Sequence, residues 1–217
     1  MLLTFEGGEG AGKTTQLNLL AAYLRERGYL VTTTREPGGT QLGQQLRTLL
    51  LESATPLTPR AEALLFAADS AQHMAAVIKP ALAQGHIVLC DRFYHSMLAY
   101  QGFANQNPIP DLVHLIAFAT QGVRPTHTFV LDIDVHIGIK RAKQRGALNR
   151  VEERGLRYHQ LVRVGYLALA SADESCTVLD ASLSVEQVHS EIRAVVDRLL
   201  EEFPAGPIGN RTTDALH

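Results

Sequence analysis

Gly7-Gly8-Glu9-Gly10-Ala11-Gly12-Lys13-Thr14 is the stretch that decides the fold. It matches the spacing G-x-x-x-x-G-K-[ST] without a gap, and its flanks match as well. Met1 to Phe5, before it, is a short apolar run with β character. Thr15 to Arg27, after it, has helical spacing, with Leu17, Leu20 and Leu24 on one side and Gly28 as a C-cap. Glycines let the backbone wrap an anion with its N–H groups, and the helix start from Lys13 to Gln16 adds a dipole and free donors. Strand, glycine loop and helix in this order make a phosphate-binding loop rather than a turn with a chance lysine. In such a loop Lys13 reaches the β- and γ-phosphates of ATP, and the Thr14 hydroxyl helps to hold Mg²⁺. Gly7, Gly8, Glu9, Gly10, Ala11, Gly12, Lys13, Thr14 and Thr15 are the expected nucleotide-binding residues.

Outward from the loop, strands alternate with helices. Tyr29 to Thr34, His86 to Cys90, Thr128 to Asp132 and Thr177 to Leu179 read as further strands. Leu42 to Leu51, Pro59 to Leu82 (with a break expected near Pro80), Pro110 to Gln121, Val135 to Arg145, Tyr158 to Ala172 and Val185 to Phe203 read as helices. The strands are continuous apolar runs, as expected when both faces of a sheet are covered. The pattern predicts a three-layer α/β domain over 1–203 with a five-stranded parallel sheet, and ligands beyond the carboxyl ends of the strands. The tail 204–217, rich in Gly, Pro and Thr, is expected to be disordered. Val88-Leu89-Cys90-Asp91 resembles a Walker B strand, whose Asp91 would join Thr14 at Mg²⁺.

Composition excludes several classes. The chain has 217 residues, 46% of them hydrophobic, with 20 basic and 22 acidic side chains. That balance advertises neither nucleic acid nor a membrane surface. No apolar run is long enough to span a bilayer, and no signal peptide fits an N-terminus that runs straight into strand and loop. A cytoplasmic protein is expected. Cys90 and Cys176 form no disulfide framework and are read as small buried residues. The chain is too short for a helicase core and lacks a guanine-reading motif.

Further motifs narrow the choice. Phe5-Glu6-Gly7 with Glu9, Thr34-Arg35-Glu36-Pro37-Gly38-Gly39-Thr40, Asp91-Arg92-Phe93, Ser96-x-x-Ala99-Tyr100-Gln101-Gly102, Leu131-Asp132 and Arg141-Ala142-x-x-Arg145-Gly146 occur in order over about residues 1 to 200. Together they resemble the bacterial thymidylate kinases, P-loop kinases of the nucleoside monophosphate class. The resemblance implies γ-phosphoryl transfer from Mg·ATP to dTMP by a homodimer that serves dTTP synthesis. It implies that Glu9 sits near the 3′-hydroxyl of the acceptor and the metal, and that Arg47 and Arg92 hold the acceptor phosphate. Phe66 would stack on thymine, Tyr100 would pack where a ribonucleotide carries its 2′-hydroxyl, and Gln101 would meet the base edge. Glu36, Pro37 and Ser96 would complete the acceptor site. From spacing alone Phe66 reads as core packing, and Arg47 as a surface arginine.

One departure stands out. Many members of that family carry an arginine four residues after the stacking phenylalanine, where this chain has Ser70. Serine is too short for the same reach, so a water or another side chain must supply the donor. The phosphate loop also holds no arginine. Arg141, Lys143, Arg145 and Arg150 crowd around Gly146 instead, and Arg141 and Arg145 share a helix face. This resembles family members that carry the catalytic arginine in a mobile lid, here about 141–155, with Arg145 leading and Arg141 next. Lid closure would also exclude water. Asp180-Ala181-Ser182 falls where relatives contact adenine, although a strand-end turn would use the same residues. The helix from Asp111 to Thr120 is apolar enough either to form a dimer interface or to be buried within the subunit. Two rivals stay open: a P-loop kinase for another deoxynucleotide or deoxynucleoside, and an ATP-binding switch with little turnover.

Overall fold

The computed structural model describes residues 1–146 and 148–202. Among them, five parallel strands form one sheet in the order β2-β3-β1-β4-β5. They are β1 (Leu2–Gly7), β2 (Val31–Arg35), β3 (Ile87–Asp91), β4 (His127–Asp132) and β5 (Cys176–Asp180). The expectation for 204–217, and the last residue of the expected domain, lie outside the described residues. No described helix is long and apolar enough to cross a membrane.

The continuous apolar strands have their physical reason here. On β1, Leu3 and Phe5 enter one core while Leu2 enters another. On β3, Ile87 and Leu89 likewise oppose Val88 and Cys90. The first core is closed by α1 (Lys13–Glu26) and α9 (Val185–Glu202), through Leu17, Leu20, Leu24, Ile192 and Val196. Each such fully buried Leu or Phe contributes roughly 1.5–3 kcal/mol. The other face is covered by α3 (Pro59–His73), α5 (Tyr94–Met97), α6 (Ile109–Thr120) and α8 (Leu156–Ser171). In the middle of the sheet Thr4 and Thr128 satisfy each other, hydroxyl to hydroxyl at 2.9 Å.

Three expectations need correction. The long helix after Pro59 does not break at Pro80. A π-helical turn, Met74–Ile78, joins α3 to α4 (Lys79–Ala83), and Pro80 falls in the first turn of α4. Proline lacks an N–H and its ring collides with the carbonyl four residues back, and the wider π turn absorbs both effects. The segment after β3, read only as a motif, is helical: α5 continues into a π-helical stretch, Leu98–Ala104, that carries Tyr100 and Gln101. Cys90 is buried as expected, but Cys176 is half-buried at the start of edge strand β5. Its Sγ lies 3.8 Å from His95 Nε2, and with Asp173 these groups cluster closely, although nothing in their sequence spacing suggested it.

The remaining helices place the site. α2 (Gln41–Leu51) starts at Thr40, whose hydroxyl accepts from Gly43 N. α7 (Val135–Arg145) starts at Asp134, whose carboxylate accepts from His136 N and Ile137 N. On α6, Leu112, Ile116 and Ala119 enter the core, while Val113 and Phe118 face outward, Phe118 with 84% of its surface exposed.

Candidate active site

The carboxyl ends of β1, β3 and β4 open into one cleft of about 1050 Å³. That exceeds what one ligand of nucleotide size needs. The phosphate loop forms its floor. Two glycines there are dictated by close approach. A Cβ on Gly7 (φ +131°) would lie 2.3 Å from the Leu131 carbonyl oxygen, and one on Gly10 (φ +67°) 2.1 Å from that of Gly138. Any larger residue at either position would push the loop off β4 or α7. Lys13 Nζ donates to the carbonyls of Gly7 (3.1 Å) and Gly8 (2.7 Å). Burial, then repulsion from Arg92, brings the lysine down to about 8. Thr14 Oγ1 donates to the Asp91 carboxylate at the tip of β3. A hydroxyl and a carboxylate in contact are the hard oxygen donors Mg²⁺ takes, so these two residues fit it. Thr15 also lines the cleft.

Next to the loop, Arg92 adopts φ +72°, a conformation costing a non-glycine residue roughly 1–2 kcal/mol. Its surroundings hold it there. Its backbone N–H donates to Phe5 O at 3.0 Å. Its guanidinium donates to Gly7 O (3.1 Å), Ser96 Oγ (3.3 Å), Tyr166 OH (3.1 Å) and Glu9 Oε1 (2.9 Å). Tyr100 donates to the same Glu9 oxygen at 2.7 Å, and the Arg92 guanidinium lies 5.1 Å from the Tyr100 ring centre. Burial alone would raise the Glu9 carboxyl, but Arg92 and Lys13 outweigh it and hold it at about 2. Glu9, Arg92 and Tyr100 are thus brought together as one charged cluster against the loop.

Behind this cluster sits Glu6, which sequence reasoning gave no role. It is fully buried and accepts from Phe93 N (2.8 Å), Ser96 Oγ (2.6 Å) and Tyr166 OH (3.1 Å). Burial raises it to about 7 despite these donors and Arg92. A carboxylate inside an apolar strand was the available signal, because such a group is costly unless it serves something. Ser96 lines the cleft, but its hydroxyl proton goes to Glu6.

Further arginines, Arg35 and Arg47, line the same cleft as Arg92. Arg47 on α2 is half-buried and donates to Pro37 O at 3.0 Å, so it is no mere surface arginine. Burial, then Arg35 and Arg92, lowers its pKa, and a side chain grown on Gly38 would meet both Arg47 and Arg35, which sets those two arginines side by side. Arg35 was missed: it lies within a quoted motif, and only the fold turns it toward Arg47. Glu36 lines the cleft. Its carboxylate accepts from Ser70 Oγ (2.7 Å) and pairs with His73 Nδ1 (2.9 Å), while Pro37 follows it through a cis peptide. Ser70 therefore offers its proton to Glu36 rather than to the cleft. Phe66 is half-buried and lines the cleft with Ser70, Met97 and Gln101, so its ring has a ligand-facing side as well as a packed one.

The basic segment divides. Arg141 donates to Ala181 O at 3.1 Å, and Arg145 pairs with Glu152 at 3.3 Å with 63% of its side chain exposed. Both line the cleft. Arg150 does not join them: it donates to Leu50 O (2.9 Å) and to buried Glu62 (3.0 Å). Asp180 accepts from Ser182 N and Oγ, which makes the strand-end turn, and Ala181 lines the cleft beside it.

A phosphate loop with its lysine, an oxygen pair that fits Mg²⁺ and several arginines lining one cleft define a P-loop phosphotransferase of the nucleotide-kinase class. Comparison with known proteins narrows this. The family model described as Thymidylate kinase matches residues 5–192. The thymidylate kinase of Gloeobacter violaceus is 47% identical over 205 residues, covering 93% of this chain and 97% of that one. That of Deinococcus radiodurans is 45% identical over 197 residues, covering 90% and 96%. The crystal structure of thymidylate kinase from Ehrlichia chaffeensis superposes with a TM-score of 0.75 at 34% identity, covering 91% of this chain and 98% of that one. The chain belongs to the thymidylate kinase family.

Proposed function

We propose that the protein transfers the γ-phosphoryl group of Mg·ATP directly to the phosphate of dTMP, giving dTDP and ADP without a phosphoenzyme. Family membership supports the substrate pair. The observation that carries the reading is that a single cleft is lined both by the loop with Lys13 and by Arg35, Arg47 and Arg92. A phosphoryl group passing between two phosphates needs both. The loop amides and Lys13 grip the donor phosphates, and Arg47 and Arg92 hold the acceptor phosphate in line. Thr14 and Asp91 would hold Mg²⁺, which would supply positive charge to the donor phosphates. Glu9, fixed by Arg92 and Tyr100, faces the acceptor sugar, and the Tyr100 ring fills the space of a 2′-hydroxyl. Phe66 stacks on the base. Arg145, the freest of the lid arginines, moves in to meet charge on the transferring phosphoryl, with Arg141 beside it.

The same reading makes the protein a cytoplasmic homodimer, with the outward side of α6 as the interface. Val113 and Phe118 present an apolar surface there that the other described residues leave exposed, Phe118 most of all. The test is ADP formation measured across dTMP, dCMP, dAMP, dGMP and thymidine. The expected result is turnover with dTMP far above the rest and almost none without an acceptor. Preference for another acceptor would support a different deoxynucleotide kinase, and acceptor-independent hydrolysis an ATP switch.

A further inference from the structure

Glu62 on α3 is not among the reacting groups, and it is 1% exposed. Four donors surround its carboxylate. Gln101 Nε2 (3.1 Å) and Asn105 Nδ2 (2.8 Å) reach Oε1, while Arg150 (3.0 Å) and Arg154 (2.6 Å) reach Oε2. Arginine cannot accept, so the arginines leave the carboxylate only the accepting role, and the amides must turn their nitrogens to it. Asn105 is fixed twice over, since its carbonyl accepts from Arg154 at 2.6 Å. The same logic fixes Gln101. With Nε2 committed to Glu62, its carbonyl oxygen Oε1 is at the opposite edge of a planar amide. Gln101 lines the cleft beside Phe66, and no described residue donates to its Oε1. Its neighbours supply no competing donor: Ser70 gives its proton to Glu36, and Met97 is apolar.

We propose that Glu62 is a positioning residue for base choice. By holding the Gln101 amide nitrogen it turns Oε1 toward the base, and so selects a pyrimidine that carries an N–H at ring position 3. The inference rests on the reading that the cleft at Phe66 takes the acceptor base. Thymine has the required donor at N3, whereas cytosine has a lone pair there. Two acceptors face to face in a desolvated pocket leave both unsatisfied, and a site built for one hydrogen-bond pattern rejects the reverse one strongly. Arg150 and Arg154 lie in the last part of the lid segment, so the same carboxylate ties the lid's base to the base pocket.

The test compares kcat/KM for dTMP and dCMP in wild type, Glu62→Gln and Arg154→Met. In Glu62→Gln the two arginines keep the new amide's oxygen and its NH₂ faces both Gln101 and Asn105; Asn105 is held by Arg154 and loses its acceptor there, while the Gln101 amide turns over to offer its own NH₂ to the base. The dTMP:dCMP ratio should then fall about tenfold or more, through loss with dTMP and gain with dCMP. Arg154→Met loosens the cluster but leaves Glu62 an acceptor, so the ratio should hold while absolute rates fall. An unchanged ratio in Glu62→Gln, or an equal fall in both variants, overturns the proposal. Should Glu62→Gln fail to fold, wild type and Gln101→Leu are compared on dTMP and its N3-methyl analogue. Gln101→Leu should narrow the gap between these two acceptors, and a gap it leaves untouched overturns the proposal equally. Wild-type protein that ignores dTMP would instead refute the functional reading itself, before any variant is made.

Discussion

Arg145→Ala separates chemistry from structure. In the structure Arg145 has one partner, Glu152 at 3.3 Å, and most of its side chain is in solvent. Such a pair is worth about 0–1 kcal/mol after solvent screening. For a domain of this size that is at most a shift of about 4 °C in Tm. The effect on rate should be far larger. The loop carries no arginine, so charge on the transferring phosphoryl must be met from the lid, and an arginine acting this way is worth about 10³–10⁵ in rate. Arg141, one turn earlier and held at Ala181 O, partly substitutes. The expected loss is therefore at the low end, on the order of 10²–10³ in kcat, or roughly 3–4 kcal/mol of barrier. Binding of ATP and dTMP should change little, because the contact forms mainly in the transition state. Arg145→Lys should rescue poorly, since lysine lacks the planar fork that spans two phosphate oxygens. Steady-state kinetics, calorimetric binding and a thermal melt on each variant measure all three quantities. If Arg145→Ala keeps kcat within a few-fold while Arg141→Ala loses it, the catalytic role belongs one turn earlier. If neither matters, the lid is only a solvated cover and the reasoning from the arginine-free loop is wrong.

Three further outcomes are expected. Tyr100→Ala should narrow the preference for the deoxyribose over the ribose form of the acceptor by about 1–3 kcal/mol, read as a ratio of kcat/KM values; an unchanged ratio removes Tyr100 from the sugar site. Glu6, raised in the fold from the ordinary 4.5 to about 7, binds a proton that the unfolded chain has already released, so its own contribution to stability falls as pH rises from 4.5 to 7, against the opposite contribution of His95, lowered to about 4. The Glu6 contribution amounts to on the order of 3 kcal/mol across that window and should be missing in Glu6→Gln when Tm is followed against pH. Phe118→Asp should shift the sedimentation of the protein from dimer to monomer, and a dimer that survives it places the interface elsewhere than on the outward side of α6.

The sequence made the β1–loop–α1 unit and the parallel sheet legible because each rests on local signals: glycine spacing, a lysine at a helix start, and apolar runs too short for anything but buried strands. The cluster around Glu9 was legible only through resemblance, since Glu9, Arg92 and Tyr100 lie on a loop, a strand end and a π-helical stretch. Arg35 and Glu62 escaped for the same reason in stronger form. Nothing near Glu62 in sequence shows that it will meet Arg150 and Arg154, 88 and 92 residues later. Ser70 was rightly seen as too short to act like an arginine, but its bond to Glu36 required the fold. The π turn before Pro80 was hidden because a proline signals disruption without saying how a helix absorbs it.

Transfer between two bound nucleotides is followed with ATP labelled in its γ-phosphoryl group. Incubated with Mg²⁺ and dTMP, the wild-type protein should move the label into the β-phosphate of dTDP, one label per ADP formed, and folded Lys13→Ala should move almost none. Label appearing in inorganic phosphate instead of dTDP, or near-normal transfer by folded Lys13→Ala, would contradict the account.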